Sequence, residues 1–268
     1  MQSTKLALSG ALACAALVAA CGSGDASGDV GDAGADVGFS LGPDTGGDWF
    51  DGGPSLDAAW PMADGGYVVA DAGVLAADRF ITKVVSFTPG SCAGFGQAAM
   101  PHVVEGPPIG GGSGMGSTDV VSLGGQGEIV VSFEPNAIVD GPGVDFLVFE
   151  NPFDVAGNAS NVFAEPGEVS VSDDGVNWTV FPCTATSYPY GECAGWHPVF
   201  SNPDNGISPV DPATAGGDPF DLADVGVTLA RYVRVRDKTM ESCPPGPGGP
   251  TSNGFDLDAM AIVNGSIP

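Results

Sequence analysis

The chain has 268 residues, and its 33 acidic and 7 basic side chains give a formal net charge of −26. This charge argues against nucleic-acid binding, which depends on Lys and Arg displacing counterions from phosphates, and against an anionic membrane surface. The 43 Gly and 23 Pro argue against a helical protein and favour short strands joined by turns, or disorder.

Residues 1–20 have the features of a secretory signal peptide. Lys5 precedes an apolar stretch that is too short to span a membrane securely. The stretch ends in Leu-Val-Ala-Ala-Cys at Cys21, which resembles the lipobox of bacterial lipoproteins, where the cysteine is acylated and becomes the mature N-terminus. The resemblance implies an exported protein held at the outer membrane or cell surface by lipid on Cys21 alone. The alternative is an ordinary signal peptide with a chance cysteine.

Residues 21–78 are predicted to form a disordered acidic linker. Residues 22–78 contain 11 Asp and many Gly and Ala, but no Lys, Arg or Glu. Such a composition cannot bury enough apolar surface to offset the chain entropy lost on folding. A calcium-loading repeat is the alternative, although the glycine-rich nonapeptide motif of such repeats is absent.

Residues 79–268 are predicted to form one all-β domain, because short β-branched and aromatic runs alternate with turn signals and no segment has a sustained helical period. Eight or more short strands in one domain indicate a single β-sandwich or jelly roll. The predicted strands are Phe80–Phe87, Asp119–Leu123, Glu128–Phe133, Asp145–Phe149, Glu168–Ser172, Trp178–Phe181, Arg231–Arg236 and Phe255–Val263. In Arg231–Arg236 we expect Tyr232 and the two valines to face away from the arginines.

Four cysteines remain beyond Cys21 and the signal peptide, and an even number in an exported chain predicts two disulfides. Of three connectivities we favour a short loop, Cys183–Cys193, which leaves Cys92–Cys243 as the second pair.

Two segments resemble the discoidin, or galactose-binding-like, β-sandwich. Glu168–Trp178 (EVSVSDDGVNW) resembles a strand that turns at Asp-Gly into a Trp-bearing strand, and Ala230–Val235 (ARYVRV) resembles a core strand of that superfamily. More widely, residues 80–264 are similar to a bacterial domain family known as cell surface proteins. The phrases that carry this likeness are Val85–Gly90, Gly116–Gly124, Val139–Asn151, Phe220–Asp224 and Gly254–Ala259. These resemblances imply the fold but no reaction.

The sequence contains no catalytic motif, so we expect a protein that is not an enzyme. His102 and His197 are the only histidines, and neither a Gly-x-Ser-x-Gly elbow nor a His-Glu-x-x-His motif is present. A carboxylate pair for glycoside hydrolysis stays open, because acidic residues are plentiful.

Calcium is the cofactor that the acidic turns favour, because hard cations prefer carboxylate and carbonyl oxygens. Three groups of candidate metal ligands stand out: Asp140, Asp145 and Glu150; Asp218, Asp221 and Asp224; and Asp256 with Asp258. The alternative is that these acids accept hydrogen bonds from backbone N–H groups in turns.

Aromatic residues cluster in the loop that the Cys183–Cys193 pair would close. Trp196, Tyr188 and Tyr190 are the candidate ligand-binding residues, because sugar rings stack on such side chains, although Trp196 could simply fill the edge of the sandwich. The sequence therefore predicts a calcium-supported cell-surface binding or adhesion protein whose partner is an extracellular glycan or a surface protein. The alternatives are a secreted hydrolase acting on polysaccharide or a purely structural surface protein.

Overall fold

The computed structural model describes residues 60–61, 66–69, 73–239 and 253–266, all within the unit Gly52–Pro268. The predicted signal peptide, Cys21, most of the predicted linker and Cys243 lie outside these residues. The described residues are all-β, with only 3-10 turns of three or four residues between strands. None of their helices has the length and apolar character that crossing a membrane requires.

The strands of the described residues are numbered in chain order. They are β1 (Trp60–Pro61), β2 (Gly66–Val69), β3 (Gly73–Ala76), β4 (Lys83–Thr88), β5 (Val121–Ser122), β6 (Glu128–Ser132), β7 (Ala137–Val139), β8 (Phe146–Phe149), β9 (Phe153–Asp154), β10 (Val162–Phe163), β11 (Gly167–Ser172), β12 (Thr179–Val180), β13 (Asp218–Phe220), β14 (Leu229–Ala230), β15 (Tyr232–Asp237), β16 (Asp256–Leu257), β17 (Ala259–Ile262) and β18 (Gly265–Ser266). Each of the eight predicted strands overlaps at least one of them.

The larger layer is an antiparallel five-stranded sheet in the order β12-β11-β15-β6-β4. Core-facing and outward-facing side chains alternate along its strands, because successive side chains of a strand point to opposite faces. Val169, Val233 and Ile129 belong to the main core, whereas Arg234 and Arg236 lie on the outer face.

The second layer is the antiparallel sheet β13-β8-β17, which is buried on both faces. In β8, Phe146 and Val148 pack in the main core with the valines of the five-stranded sheet. Leu147 and Phe149 point the other way, into a smaller cluster with Val199. Burial on both faces explains why β8 is apolar throughout, and the packing of the two sheets makes the domain β-sandwich-like.

The domain also contains three shorter antiparallel sheets: β14-β7-β18, β16-β5 and β10-β9. A further small sheet, β1-β2-β3, pairs residues within the C-terminal part of the predicted linker.

The predicted facing of the arginine-rich strand is wrong at one residue. Tyr232 lies on the outer face with Arg234 and Arg236, because residues two apart in a strand share a face. Val233 and Val235 face the core, as predicted. The prediction grouped Tyr232 with the valines by its apolar character and not by its position.

Candidate functional site

The aromatic loop, defined here as residues 183–197, contains a disulfide between Cys183 and Cys193, which confirms that predicted pair. Tyr188 and Tyr190 lie between the two cysteines, and Trp196 follows Cys193. Cys92 is also disulfide-bonded. Cys243 lies outside the described residues, so the Cys92–Cys243 pair stays a prediction.

The structure brings the three predicted ligand-binding aromatics together. The Trp196 ring lies 5.7 Å from the Tyr188 ring and 6.5 Å from the Tyr190 ring, both at steep angles. The indole Nε1 donates to the carbonyl of Gly191, and Tyr188 is 44% exposed. The loop therefore presents an aromatic cluster, part of which is open to solvent.

Asp218, predicted as a metal ligand, lies beneath this loop at 1% exposure. Its carboxylate accepts hydrogen bonds from Gly195 N at 2.6 Å, from Trp196 N at 3.4 Å and from His197 Nδ1 at 2.8 Å. Burial raises the pKa of Asp218, while the hydrogen bonds and charge of His197 oppose the rise. These contacts give Asp218 a positioning role, since they fix the backbone that carries Trp196.

The Asp145 cluster consists of Asp140, Asp145 and Asp221, which can each bring one carboxylate oxygen within 4.8 Å of the others. Asp145 has no exposed surface. Its Oδ1 accepts from Gly141 N and Asn264 Nδ2, each at 2.9 Å, and its Oδ2 accepts from Leu222 N at 2.8 Å.

Asp221 caps the 3-10 turn Leu222–Val225 by accepting from Ala223 N. The carboxylates of Asp145 and Asp221 thus already serve backbone and amide donors, which is the alternative that the sequence left open for these acids.

The Glu150 cluster consists of Glu150, Glu165 and Asp256, whose carboxylate oxygens also come within 4.8 Å of one another. Glu150 directly follows β8 and Asp256 begins β16, while Glu165 lies between β10 and β11. Glu150 is 1% exposed and Asp256 9% exposed. The ends of three separate segments therefore converge on one buried acidic point.

Backbone and side-chain amides donate hydrogen bonds to the Glu150 cluster. Glu150 Oε1 accepts from Asp256 N at 3.1 Å, and Glu165 Oε1 accepts from Gly254 N at 2.6 Å. Asn151 Nδ2 donates to Asp256 at 3.4 Å. Glu150 Oε2 is buried and has no hydrogen-bond partner among the described residues.

The electrostatics of the Glu150 cluster disfavour ionisation. Burial first, and then the charges of Asp256 and Glu165, raise the pKa of Glu150 well above its ordinary value. Burial and the charge of Asp256 raise the pKa of Glu165 to about 8. Among the described residues no salt bridge involves Glu150 or Glu165.

The remaining two predicted ligands lie elsewhere. Asp224 is exposed in the 3-10 turn Leu222–Val225. Asp258 is 2% exposed and accepts from Ile109 N through both oxygens, at 3.2 and 3.1 Å. Burial raises the pKa of Asp258 well above its ordinary value. Asp256 and Asp258, which formed one predicted group, thus accept hydrogen bonds from different segments.

Two structural features were not predicted from the sequence. Glu165 sits in an irregular segment, Phe163-Ala-Glu-Pro166, whose letters give no metal-binding spacing. A groove of about 420 Å³ also runs along the outer face of the five-stranded sheet and is lined by Trp178, Tyr232 and Arg234. The Arg234 guanidinium stacks over Trp178, 4.4 Å from its ring centre. The motif Ser172–Trp178 (SDDGVNW) predicted the turn that carries Trp178, but it did not predict the groove.

No protein-family model matches this chain, and no curated protein matches it. Among solved structures it is similar to the C-terminal domain of a chitobiase from Bacteroides fragilis. That likeness has 14% identity, covers 72% of this chain and 98% of that one, and has a TM-score of 0.31. A likeness at this level carries no argument about function. The resemblance to the discoidin and cell-surface families stays a prediction.

Proposed function

We propose that this protein is a lipid-anchored cell-surface binding protein whose β domain recognises extracellular carbohydrate through the aromatic loop. The observation that carries the proposal is the convergence of Tyr188, Tyr190 and Trp196 in a loop held by a disulfide and by buried Asp218. Aromatic side chains in a pre-organised loop bind ligands at a low entropic cost.

Carbohydrate suits this surface for a chemical reason. The C–H faces of sugar rings pack on aromatic rings, and their hydroxyls need donors and acceptors at the rim. The imidazole of His197 lies against Trp196, with ring centres 3.6 Å apart, and offers such a polar group.

A protein partner is the second candidate for the same aromatic cluster, because Trp and Tyr are also enriched at the centres of protein interfaces.

The anchor part of the proposal rests on the signal peptide and on Cys21. Lipid on Cys21 would leave the β domain outside the cell at the end of the acidic segment. Metabolic labelling with a fatty acid tests it: label should enter the wild-type chain and be absent from Cys21→Ser. Equal labelling of both chains would contradict the anchor.

The binding part is tested on a glycan array and then by titration calorimetry with the best glycan. Trp196→Ala should weaken binding by about tenfold or more, as expected for a central aromatic contact. Trp178→Ala is the matched control, because it removes the same side chain from the outer groove of the five-stranded sheet. Loss of binding in Trp178→Ala alone would move the site to that groove, and no glycan binding by the wild type would reject the proposal.

A hydrolase remains the rival function. Incubation of the protein with each glycan that it binds, followed by mass analysis, distinguishes the two. Recovery of the intact glycan supports a binding protein, whereas cleavage would replace the proposal with catalysis.

A further inference from the structure

We propose that Glu150, Glu165 and Asp256 form a calcium-binding site inside the β domain. The proposal goes beyond glycan recognition, because it concerns buried residues that lie outside the aromatic cluster. It differs from the sequence prediction in its membership, since it takes one residue from each of two predicted groups and adds Glu165.

The distances fit a single ion. Calcium binds oxygen at about 2.3–2.6 Å, so two ligands on opposite sides of one ion are about 5 Å apart. One carboxylate oxygen of each of the three residues lies within 4.8 Å of the other two. Small side-chain adjustments would therefore allow one calcium ion to contact all three.

The unpartnered oxygen of Glu150 points to a ligand. Buried polar atoms almost always have a partner, and a buried acceptor without one costs free energy. Glu150 is 1% exposed, yet its Oε2 has no hydrogen-bond partner among the described residues. A cation bound in the cluster would supply that partner.

The charge balance favours a cation of high charge. Three carboxylates share the cluster, and none of the described salt bridges reaches Glu150 or Glu165. A divalent ion bound between the three carboxylates would offset most of this charge.

The donor set selects among divalent ions. It contains carboxylate oxygens but neither sulfur nor imidazole, which disfavours zinc. Magnesium requires near-octahedral geometry and gives up water reluctantly, while calcium accepts irregular sets of six to eight oxygens. With Glu150 and Asp256 at most 9% exposed, an ion can occupy the point but a sugar ring cannot.

The site would also support the aromatic loop. Glu165 lies two residues before Gly167, which exchanges both backbone hydrogen bonds with Ala194 at 2.9 Å. Gly195 has a φ of 89°, and a Cβ there would collide with the carbonyl oxygen of Glu165. Fixing Glu165 would therefore fix the backbone next to Trp196.

The test uses the purified full chain after treatment with EDTA and dialysis. Titration calorimetry with CaCl₂ should give one ion per chain. The melting temperature should rise by about 5–10 °C at a calcium concentration 100-fold above the Kd. MgCl₂ at the same concentration should give a clearly smaller rise, and an equal rise would overturn the choice of calcium.

Matched variants assign the site. Glu150→Gln and Glu165→Gln should lose the calcium-induced rise, whereas Asp140→Asn and Asp221→Asn in the Asp145 cluster should keep it. If Glu150→Gln fails to fold, Glu165→Gln decides, because its side chain is only partly buried. Retention of the full rise in Glu165→Gln, its loss in the control variants, or no calcium binding by the wild type would overturn the proposal.

Discussion

Asp145 and Glu150 flank the same four-residue strand, β8, and both are buried, yet their surroundings are opposite. Asp145 accepts hydrogen bonds from three donors that come from three segments. Glu150 accepts one, from Asp256 N, and faces two further acids. Burial and spacing alone therefore do not identify a metal ligand, because the hydrogen-bond donors already in place determine whether a buried carboxylate still needs a partner.

The largest expected effect is on the free energy of unfolding, which matched substitutions at the two ends of β8 should change in opposite directions. Asp145→Asn replaces one acceptor with an NH₂ group that faces an N–H donor, so it should lower stability by about 2–4 kcal/mol. Glu150→Gln gives an uncharged side chain without the need to bind a proton, and it supplies NH₂ donors to the acids beside it, so it should raise the calcium-free stability by about 1–2 kcal/mol. Urea unfolding in EDTA measures both.

The two residues are about 16 Å apart along the strand, so the effects should add in the double variant. Stabilisation by Asp145→Asn, or destabilisation by Glu150→Gln in EDTA, would show that the surroundings of the two carboxylates do not differ in this way.

The second prediction concerns pH. The pKa of Glu165 is raised to about 8 from an ordinary value of 4.5, so the folded calcium-free protein holds a proton that the unfolded chain releases. This contribution to stability is complete below about pH 4.5 and is lost as the pH rises through 8. The unfolding free energy in EDTA should therefore fall between pH 5 and 8, by at most about 1.4 kcal/mol per pH unit for this carboxyl.

Calcium and Glu165→Gln should each reduce that slope, because the first replaces the proton and the second removes the titrating group. Urea unfolding at several pH values provides the measurement. A slope that is the same in wild type, in Glu165→Gln and in calcium would show that the Glu150 cluster does not control it.

The β-sandwich was easier to predict from the sequence than the candidate metal site, for physical reasons. Alternation of apolar residues is a local property, and it located strands such as β6, β11 and β15. β13 escaped because Pro219 argues against a strand, and the structure tolerates it because β13 lies at the edge of its sheet.

The acids behave differently, because their surroundings come from distant segments. Glu150 and Asp256 were each candidate metal ligands. They come together because β8, which ends just before Glu150, pairs with β17, which begins shortly after Asp256. Glu165 joins them from an irregular segment that no local pattern distinguishes. The aromatic loop was predictable because its disulfide is short in sequence, with a separation of 10.

Asp218 is the intermediate case, and the third prediction addresses it. It is buried like Glu150 but receives two backbone donors and His197, and its pKa is raised less strongly. Asp218→Asn keeps one acceptor and loses the other, so we expect a loss of about 1–2 kcal/mol. Glycan affinity should fall severalfold, because the backbone of Trp196 loosens.

Thermal melts and glycan titration test Asp218→Asn against Asp224→Asn, a substitution at an exposed acid of the neighbouring turn. Unchanged affinity in Asp218→Asn would separate Asp218 from the aromatic loop.

The smallest expected effect is at Asp140, the exposed member of the Asp145 cluster. Asp140→Asn should change stability by less than about 0.5 kcal/mol, because an exposed carboxylate loses little when its charge is removed. It should also leave the response to calcium unchanged, because Asp145 has no donor-free oxygen to offer a cation. Thermal melts with and without calcium are sufficient. A calcium response that disappears in Asp140→Asn would mean that a cation displaces the backbone donors of Asp145, and the distinction drawn between the two ends of β8 would then fail.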